Sequence, residues 1–216
     1  MSNTPGAKAE FDFSAFYARY RKPILAGAAA AVVLGAGAWF WRASNNLKEK
    51  NGELAYVSAE RSFYSGNLQL AEIDLARVVT RYGTTKAGVR ASMLLARAMY
   101  QQGKADSGVK RLREAVGHGA AGPFRAAIYA MIAAGLEDGA KYDSAAASFG
   151  QAAAAAATPI DREIYKADQA RSLASAGKPA EALRIWQEIA AREGSPLIAE
   201  ARLRIGELTA APAKGS

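Results

Sequence analysis

Side chains able to do covalent or acid–base chemistry are sparse in this 216-residue chain. It has no cysteine, which removes thiolate nucleophiles, thiolate metal sites, disulfides and lipid-modified cysteine. The one histidine, His118, stands in Gly117-His118-Gly119, a helix-ending stretch. A Ser-His-Asp arrangement therefore has a single candidate base, and that base reads as a solvated loop residue rather than a ring held by packing. The carboxylate pair Glu137-Asp138 falls at a helix end beside a turn, where solvation is the default. No glycine loop follows a strand as a phosphate cradle requires, because no strand pattern exists. The expectation is a non-enzyme, with no catalytic residue, no metal site and no cofactor.

What remains is binding chemistry. The chain carries 28 Lys+Arg against 20 Asp+Glu, a net charge of +8. Residues 1–22 hold Lys8, Arg19, Arg21 and Lys22 against Glu10 and Asp12; the other 24 basic and 18 acidic residues are spread thinly. No basic run is longer than Lys110-Arg111 with Arg113 nearby, and no aromatic platform interleaves with it as single-strand binding needs. The charge reads as solubility and affinity for a membrane surface, not as nucleic-acid binding.

Membrane lipid is the first expected partner. From Pro23 to Trp41 the chain is uncharged, and 19 residues at about 1.5 Å each reach across a hydrocarbon core of about 30 Å. Phe16, Tyr17 and Tyr20 precede this stretch and Trp39, Phe40 and Trp41 close it, as two aromatic belts would. Arg19, Arg21 and Lys22 flank one side and Arg42, Lys48 and Lys50 the other, so counting basic residues gives little orientation. Gly27, Ala31 and Gly35 form a small-xxx-small stripe suited to packing another membrane helix, and so to a homodimer. Ala36-Gly37-Ala38 also matches a signal-cleavage pattern, which makes a released soluble protein the alternative. The Trp-Phe-Trp cluster and a 38-residue leader length favour an uncleaved anchor.

Everything after about residue 50 follows one period. The turns Gly66-Asn67-Leu68, Gly103-Lys104-Ala105, Ala140-Lys141-Tyr142 and Gly177-Lys178-Pro179 start 37 residues apart. Five residues on stand Ala71, Gly108, Ala145 and Ala182; nine on stand Leu75, Leu112, Phe149 and Trp186; seven before stand Ala59, Ala96, Ala133 and Ala170. Small residues on both arms let two antiparallel helices approach, and the large residue fills the space against the next hairpin. First helices are expected near 52–64, 86–101, 122–137 and 159–175, and second helices near 68–81, 105–117, 142–156 and 179–192. A capping helix is expected near 196–209. Pro123, Pro159 and Pro196 suit first helical turns.

At these offsets the chain resembles the tetratricopeptide repeat (TPR) family. Its usual period of about 34 residues leaves three to be placed in a helix or an inter-repeat loop. The family's first-helix tryptophan position holds Ala55, Ser92, Tyr129 and Lys166. The resemblance implies a concave face built by first helices. Its positions read Glu53, Tyr56, Glu60, Phe63, Tyr64, then Arg90, Met93, Arg97, Tyr100, Gln101, then Ala127, Ala130, Ala134, Glu137, Asp138, then Ile164, Ala167, Arg171, Ala174, Ser175. The candidate partner-binding groove is therefore Tyr56, Glu60, Phe63, Tyr64, Arg90, Met93, Arg97 and Tyr100, the residue types enriched at interfaces. Tyr56, Phe63 and Tyr100 suit a core equally well, and Arg90 and Arg97 suit a solvated stripe. The alanine-rich last two repeats suit burial of a peptide or of the chain's own C-terminal helix. Met93 and Arg97 stand where some TPR members clamp a C-terminal carboxylate with Lys and Asn, so that mode is not expected.

The order of parts narrows the resemblance. Phe16-Tyr17-Ala18-Arg19-Tyr20-Arg21-Lys22-Pro23, Leu34-Gly35-Ala36-Gly37-Ala38-Trp39-Phe40-Trp41-Arg42 and the repeat register together look like the YfgM-like family of bacterial inner-membrane proteins. That resemblance implies a cytoplasmic N-terminus and a periplasmic repeat domain beside the protein-export translocon, working with periplasmic chaperones. The expected organisation is an all-α chain: a segment 1–22, a transmembrane helix 23–41, a juxtamembrane connector 42–51, an α-solenoid of about four TPR-like helical hairpins with a C-terminal capping helix at 52–209, and a disordered tail 210–216. Its expected role is a membrane-anchored interaction scaffold, the alternatives being the released soluble form and a self-assembling structural protein.

Overall fold

The computed structural model describes residues 13–210, with the side chains of residues 13–21, 23 and 24 left aside. The belt expected at Phe16, Tyr17 and Tyr20, most of the segment 1–22 and the tail beyond residue 210 therefore lie outside the described residues. The chain divides into two compact units, residues 1–47 and 48–216. The division falls within the expected connector 42–51, which is helical: α1 spans Phe13–Tyr64. Nothing between Arg42 and Asn51 breaks a helix, and Leu47, Lys48, Glu49 and Lys50 favour one.

In the first unit every side chain from Leu25 to Leu47 is exposed, with Leu25, Val32, Val33, Leu34, Trp39, Phe40 and Trp41 between 62% and 73% accessible. This stretch of α1 is long and apolar enough to cross a membrane. Bare apolar surface of that extent marks contact with lipid or another protein.

The second unit stacks α2 (Leu68–Tyr82), α3 (Lys86–Gln101), α4 (Ala105–Val116), α5 (Arg125–Asp138), α6 (Tyr142–Ala155), α7 (Pro159–Ser175), α8 (Pro179–Ala190) and α9 (Ile198–Thr209) behind the last turns of α1. Each helix packs on its neighbours in the sequence, and no strand occurs among the described residues. The turns open where the 37-residue register puts them. Gly66, Gly103 and Gly177 adopt φ of 82°, 73° and 76°, and among the described residues Ala140 alone takes the same left-handed conformation with a side chain, at 54°. In three turns the next residue closes a Schellman motif: Lys104, Lys141 and Lys178 donate backbone N–H to the carbonyls of Met99, Leu136 and Leu173 at 2.8–2.9 Å. Helix starts are fixed by Asn67, Thr85 and Thr158, whose side chains accept from Leu70, Gly88 and Asp161 N–H at 3.0–3.1 Å.

All twelve register residues are buried. Ala71, Ala145 and Ala182 have no accessible surface and Ala59, Ala96, Ala133 and Ala170 at most 3%. Leu75, Leu112 and Trp186 are at 0–1% and Phe149 at 7%. The extra residues of the long period are taken up in two ways. The 15-residue α2 and 14-residue α6 are followed by short links at 83–85 and 156–158. The 12-residue α4 and α8 are followed by longer links, 117–124 with a 3₁₀ turn at Gly119–Phe124, and 191–197. Two expected helix starts move for this reason. Pro123 lies in the 3₁₀ turn before α5, and Pro196 precedes α9, whereas Pro159 does open α7.

Candidate functional site

The first-helix face of the first two repeats carries an open recess of about 280 Å³, lined by Tyr56 of α1, Arg90, Met93, Leu94 and Arg97 of α3, Phe124 of the 3₁₀ turn and Met131 of α5. Its walls come from three consecutive repeats, so only the stacked domain creates it. Tyr56 is 5% exposed and anchors the floor among Phe63, Leu75, Leu94 and Leu95. Its hydroxyl donates to Glu60 Oε1 at 2.6 Å. Burial, reinforced by that hydrogen bond, pushes its pKa up to about 12. The Arg90 guanidinium stacks 4.2 Å above the Tyr56 ring while its Nη1 donates to Glu53 Oε1 at 2.7 Å, so both its position and its charge are fixed from α1. Arg97 is different. It is exposed, lies 5.7 Å from the Phe63 ring centroid, and forms no ion pair among the described residues. The recess thus combines a floor of polarizable and aromatic side chains with one committed and one available cation.

Of the residues singled out by sequence, Tyr56, Arg90, Met93 and Arg97 converge here. Glu60 stands beside them through Tyr56, half-buried. Phe63 is 7% exposed and belongs to the core, and Tyr64 is 70% exposed with its ring edge-on to Phe63 at 5.5 Å. Tyr100 is taken up by packing. Its hydroxyl donates to the Met131 carbonyl at 2.9 Å, and a Cβ on Gly108 or Gly135 would come within 2.4 or 2.5 Å of its ring and hydroxyl. Those two glycines are therefore the space the ring occupies. Gly27, Ala31 and Gly35 are exposed in the first unit, where a Cβ on either glycine would meet nothing within 4 Å.

The last two repeats differ from their alanine-rich reading. Glu137, expected to be solvated, accepts from the Ser172 hydroxyl at 2.6 Å because its helix end abuts α7 of the next repeat. Arg171 pairs with Asp168 and holds both carboxylate oxygens of Glu200 on α9 through Nη2, at 2.7 and 2.9 Å. It also lies 5.7 Å over the Trp186 ring. The chain's own C-terminal helix thus caps the stack beside α8 and reaches this face at Arg171, while Ala134 and Ala174 stay exposed. Burial raises the Asp168 pKa, Arg171 opposes the rise, and Glu137 and Glu200 add to it. Buried Glu163 accepts from the Ser195 hydroxyl at 2.7 Å and faces Arg192 Nε at 2.8 Å, which pins the 191–197 link to α7. His118 sits half-buried in the α4–α5 link.

Phe124 and Met131 were not legible as site residues, since the link that brings Phe124 to the recess departs from the period. A second feature was legible and unused: lysine follows three of the four turn starts. Lys104 reaches Glu72 at 2.8 Å, Lys141 reaches Asp106 at 2.6 Å and Lys178 reaches Asp143 at 2.8 Å, each bridging to the preceding second helix.

Stacked hairpins with small residues at the axis contacts and a binding recess across first helices define a repeat scaffold for protein–protein contact. The chain belongs to the tetratricopeptide repeat-like domain family, whose model matches residues 14–195. Among solved structures it is similar to the nearly identical TPR-like repeats of a Podosopora anserina kinesin light chain, with a TM-score of 0.56 and 19% identity over 71% of this chain and 83% of that one. A single-substitution variant of those repeats gives 0.54 and 18%, over 71% and 82%. At that identity the likeness concerns the fold. No curated protein matches the chain.

Proposed function

We propose that this chain is a single-span adaptor of the bacterial inner membrane, with a cytoplasmic N-terminus and a periplasmic repeat domain that docks proteins working beside the export translocon, periplasmic chaperones among them. The observation that carries the binding role is the recess between Tyr56, Met93, Phe124 and Met131, with Arg97 free at its edge. Methionine and aromatic floors adapt to varied apolar side chains, and an unpaired guanidinium adds preference for an acidic neighbour. Anchoring is supported by the fully exposed apolar stretch of α1 and by a family pattern that begins at residue 14 and so includes it. Retention of the anchor is supported by the Trp39-Phe40-Trp41 cluster that closes the apolar stretch as an interface belt would. The choice of translocon and chaperones rests on the YfgM-like order of parts. The domain acts by binding, without catalysis.

Photocrosslinking in cells from probes at Met93 and Arg97 should capture translocon or chaperone subunits. Adducts with lipid and with the chain itself alone would reject the reading. A reporter fused after Ser216 should be active on the periplasmic side, and intact mass should show the residues before Trp39 retained. A cytoplasmic reporter would discard the adaptor model, and a mature chain starting at residue 39 would favour the released form.

A further inference from the structure

The second helices of the repeats differ sharply at one set of register positions. Counting four, seven, eight and eleven residues from the turn start, α2 has Leu70, Ile73, Asp74 and Arg77. At the same places α4 has Ser107, Lys110, Arg111 and Glu114, and α8 has Glu181, Arg184, Ile185 and Glu188. In α6 they are Ser144, Ala147, Ser148 and Gln151, none charged and three of them short. A wall of short side chains leaves space beside it. Two open recesses of about 670 and 350 Å³ lie between α4 and α6, and they share Arg113 and Ser144, so they form one trough. Its floor is the side of α5 that carries Tyr129, Ile132 and Leu136, whereas Met131 of the same helix lines the recess on the first-helix face. The two cavities share no residue.

Three cations and two carboxylates line the trough, and the α6 helix contributes none of them. Both carboxylates are engaged: Lys141 holds Asp106 at 2.6 Å, and Arg111, from outside the lining, holds Glu114 at 3.2 Å. Lys110 and Arg113 are exposed and form no ion pair among the described residues. The short basic cluster of α4 therefore divides, one member neutralising Glu114 and two left at the trough. We infer that the trough docks an acidic segment of a second protein, with carboxylates at Lys110 and Arg113 and an apolar side chain between the walls. Exposed Ser144 and Gln151 offer hydrogen bonds to such a segment, and half-buried Val116 and Tyr129 offer apolar contact. The chain's own ends have the wrong sign: residues 1–22 are net basic, and Lys214 is the charged side chain of residues 211–216. Asp106 and Glu114 repel a continuous polyanion, which favours a peptide with a few charges over nucleic acid. The trough needs neither the anchor nor the first-helix recess, so an adaptor could hold a different partner on each side of α5.

The test is a selection of short random peptides on the full chain in uncharged detergent. The bait carries Arg97→Glu, so that the first-helix recess no longer attracts acid. Selected peptides should carry two or more Asp or Glu beside an apolar residue. They should bind about tenfold more weakly or worse when Lys110→Gln and Arg113→Gln are combined. Ala147→Trp fills the trough while keeping both cations, and it should weaken them as much, with helix content by circular dichroism unchanged in every variant. Selection without acidic enrichment would overturn the inference, as would binding unmoved by either change. Displacement by single-stranded oligothymidylate or by anionic vesicles as readily as by free peptide would assign the cations to nucleic acid or lipid instead. Crosslinking from Met93 reports on the other cavity, so either reading can fail alone.

Discussion

Ala145 has no accessible surface, whereas Ala147, two residues along the same α6, faces solvent. Their contrast tests the packing at the smallest scale. An interior at crystal-like density has no room for three added carbons, so Ala145→Leu should cost about 1–3 kcal/mol, while Ala147→Leu should stay within about 0.5 kcal/mol. Urea unfolding of residues 48–216 measures both, and equal effects would refute the axis contact. Asp168 supplies a pH test. Its folded-state pKa is raised above 3.8, chiefly by burial. As pH climbs from about 4, the unfolded chain gives up this proton before the folded one does, so ionisation works against the fold. Asp168→Asn keeps an acceptor for Arg171 and has no such slope. Wild type should therefore lose stability relative to the variant as pH rises from about 4 through the raised pKa of Asp168. A difference that instead grows in favour of wild type would mean the Arg171 pairing outweighs burial.

At the scale of helices and turns, Ala140 is the exception that sharpens the rule. Three turns place glycine in the left-handed conformation; this one forces a Cβ into it at φ 54°. Left-handed backbone costs an L-residue roughly 1–2 kcal/mol, offset in part by the extra freedom glycine has when unfolded. Ala140→Gly should therefore stabilise the domain by about 0.5–1 kcal/mol, and Gly103→Ala should destabilise it by about 1 kcal/mol or more. Thermal melts of both variants decide it; a loss of stability in Ala140→Gly would mean the turn geometry is wrong. These turns were legible because their conformations demand particular residue types at a fixed interval. The helix starts at residues 125 and 198 were not. Prolines tolerated in a first turn are tolerated just as well before it, and the links at 117–124 and 191–197 obey tertiary contacts such as Glu163 with Ser195. The site divides along the same line. Tyr56, Arg90, Met93 and Arg97 could be placed by register, while Phe124 and Met131 depend on how the third hairpin leans on the second, which no local pattern encodes.

Over the whole domain, three successive apolar clusters run from α1 to α9, and among the described residues the main helix–helix contacts join hairpins that are neighbours in the sequence. Stability in such an array is the sum of local hairpin terms and nearest-neighbour interfaces. The last interface is made by α9, which buries Ala201 against Trp186, Leu173 and Ala170, adds Ile205 and Leu208, and holds Arg171 through Glu200. Ending the chain after Pro196 removes that cover together with Glu200, leaving Arg171 paired with Asp168 alone. From the apolar surface lost, the domain should be destabilised by roughly 2–4 kcal/mol. The distribution of the loss matters more than its size. Amides of α7 and α8 should lose most protection from hydrogen exchange, those of α5 and α6 less, and those of α2 and α3 almost none. The recess, which is built by α1, α3 and α5, should keep its crosslinking from Met93. Protection lost evenly from α2 to α8 would instead show one cooperative core, and α9 would then support the recess as much as it caps the stack.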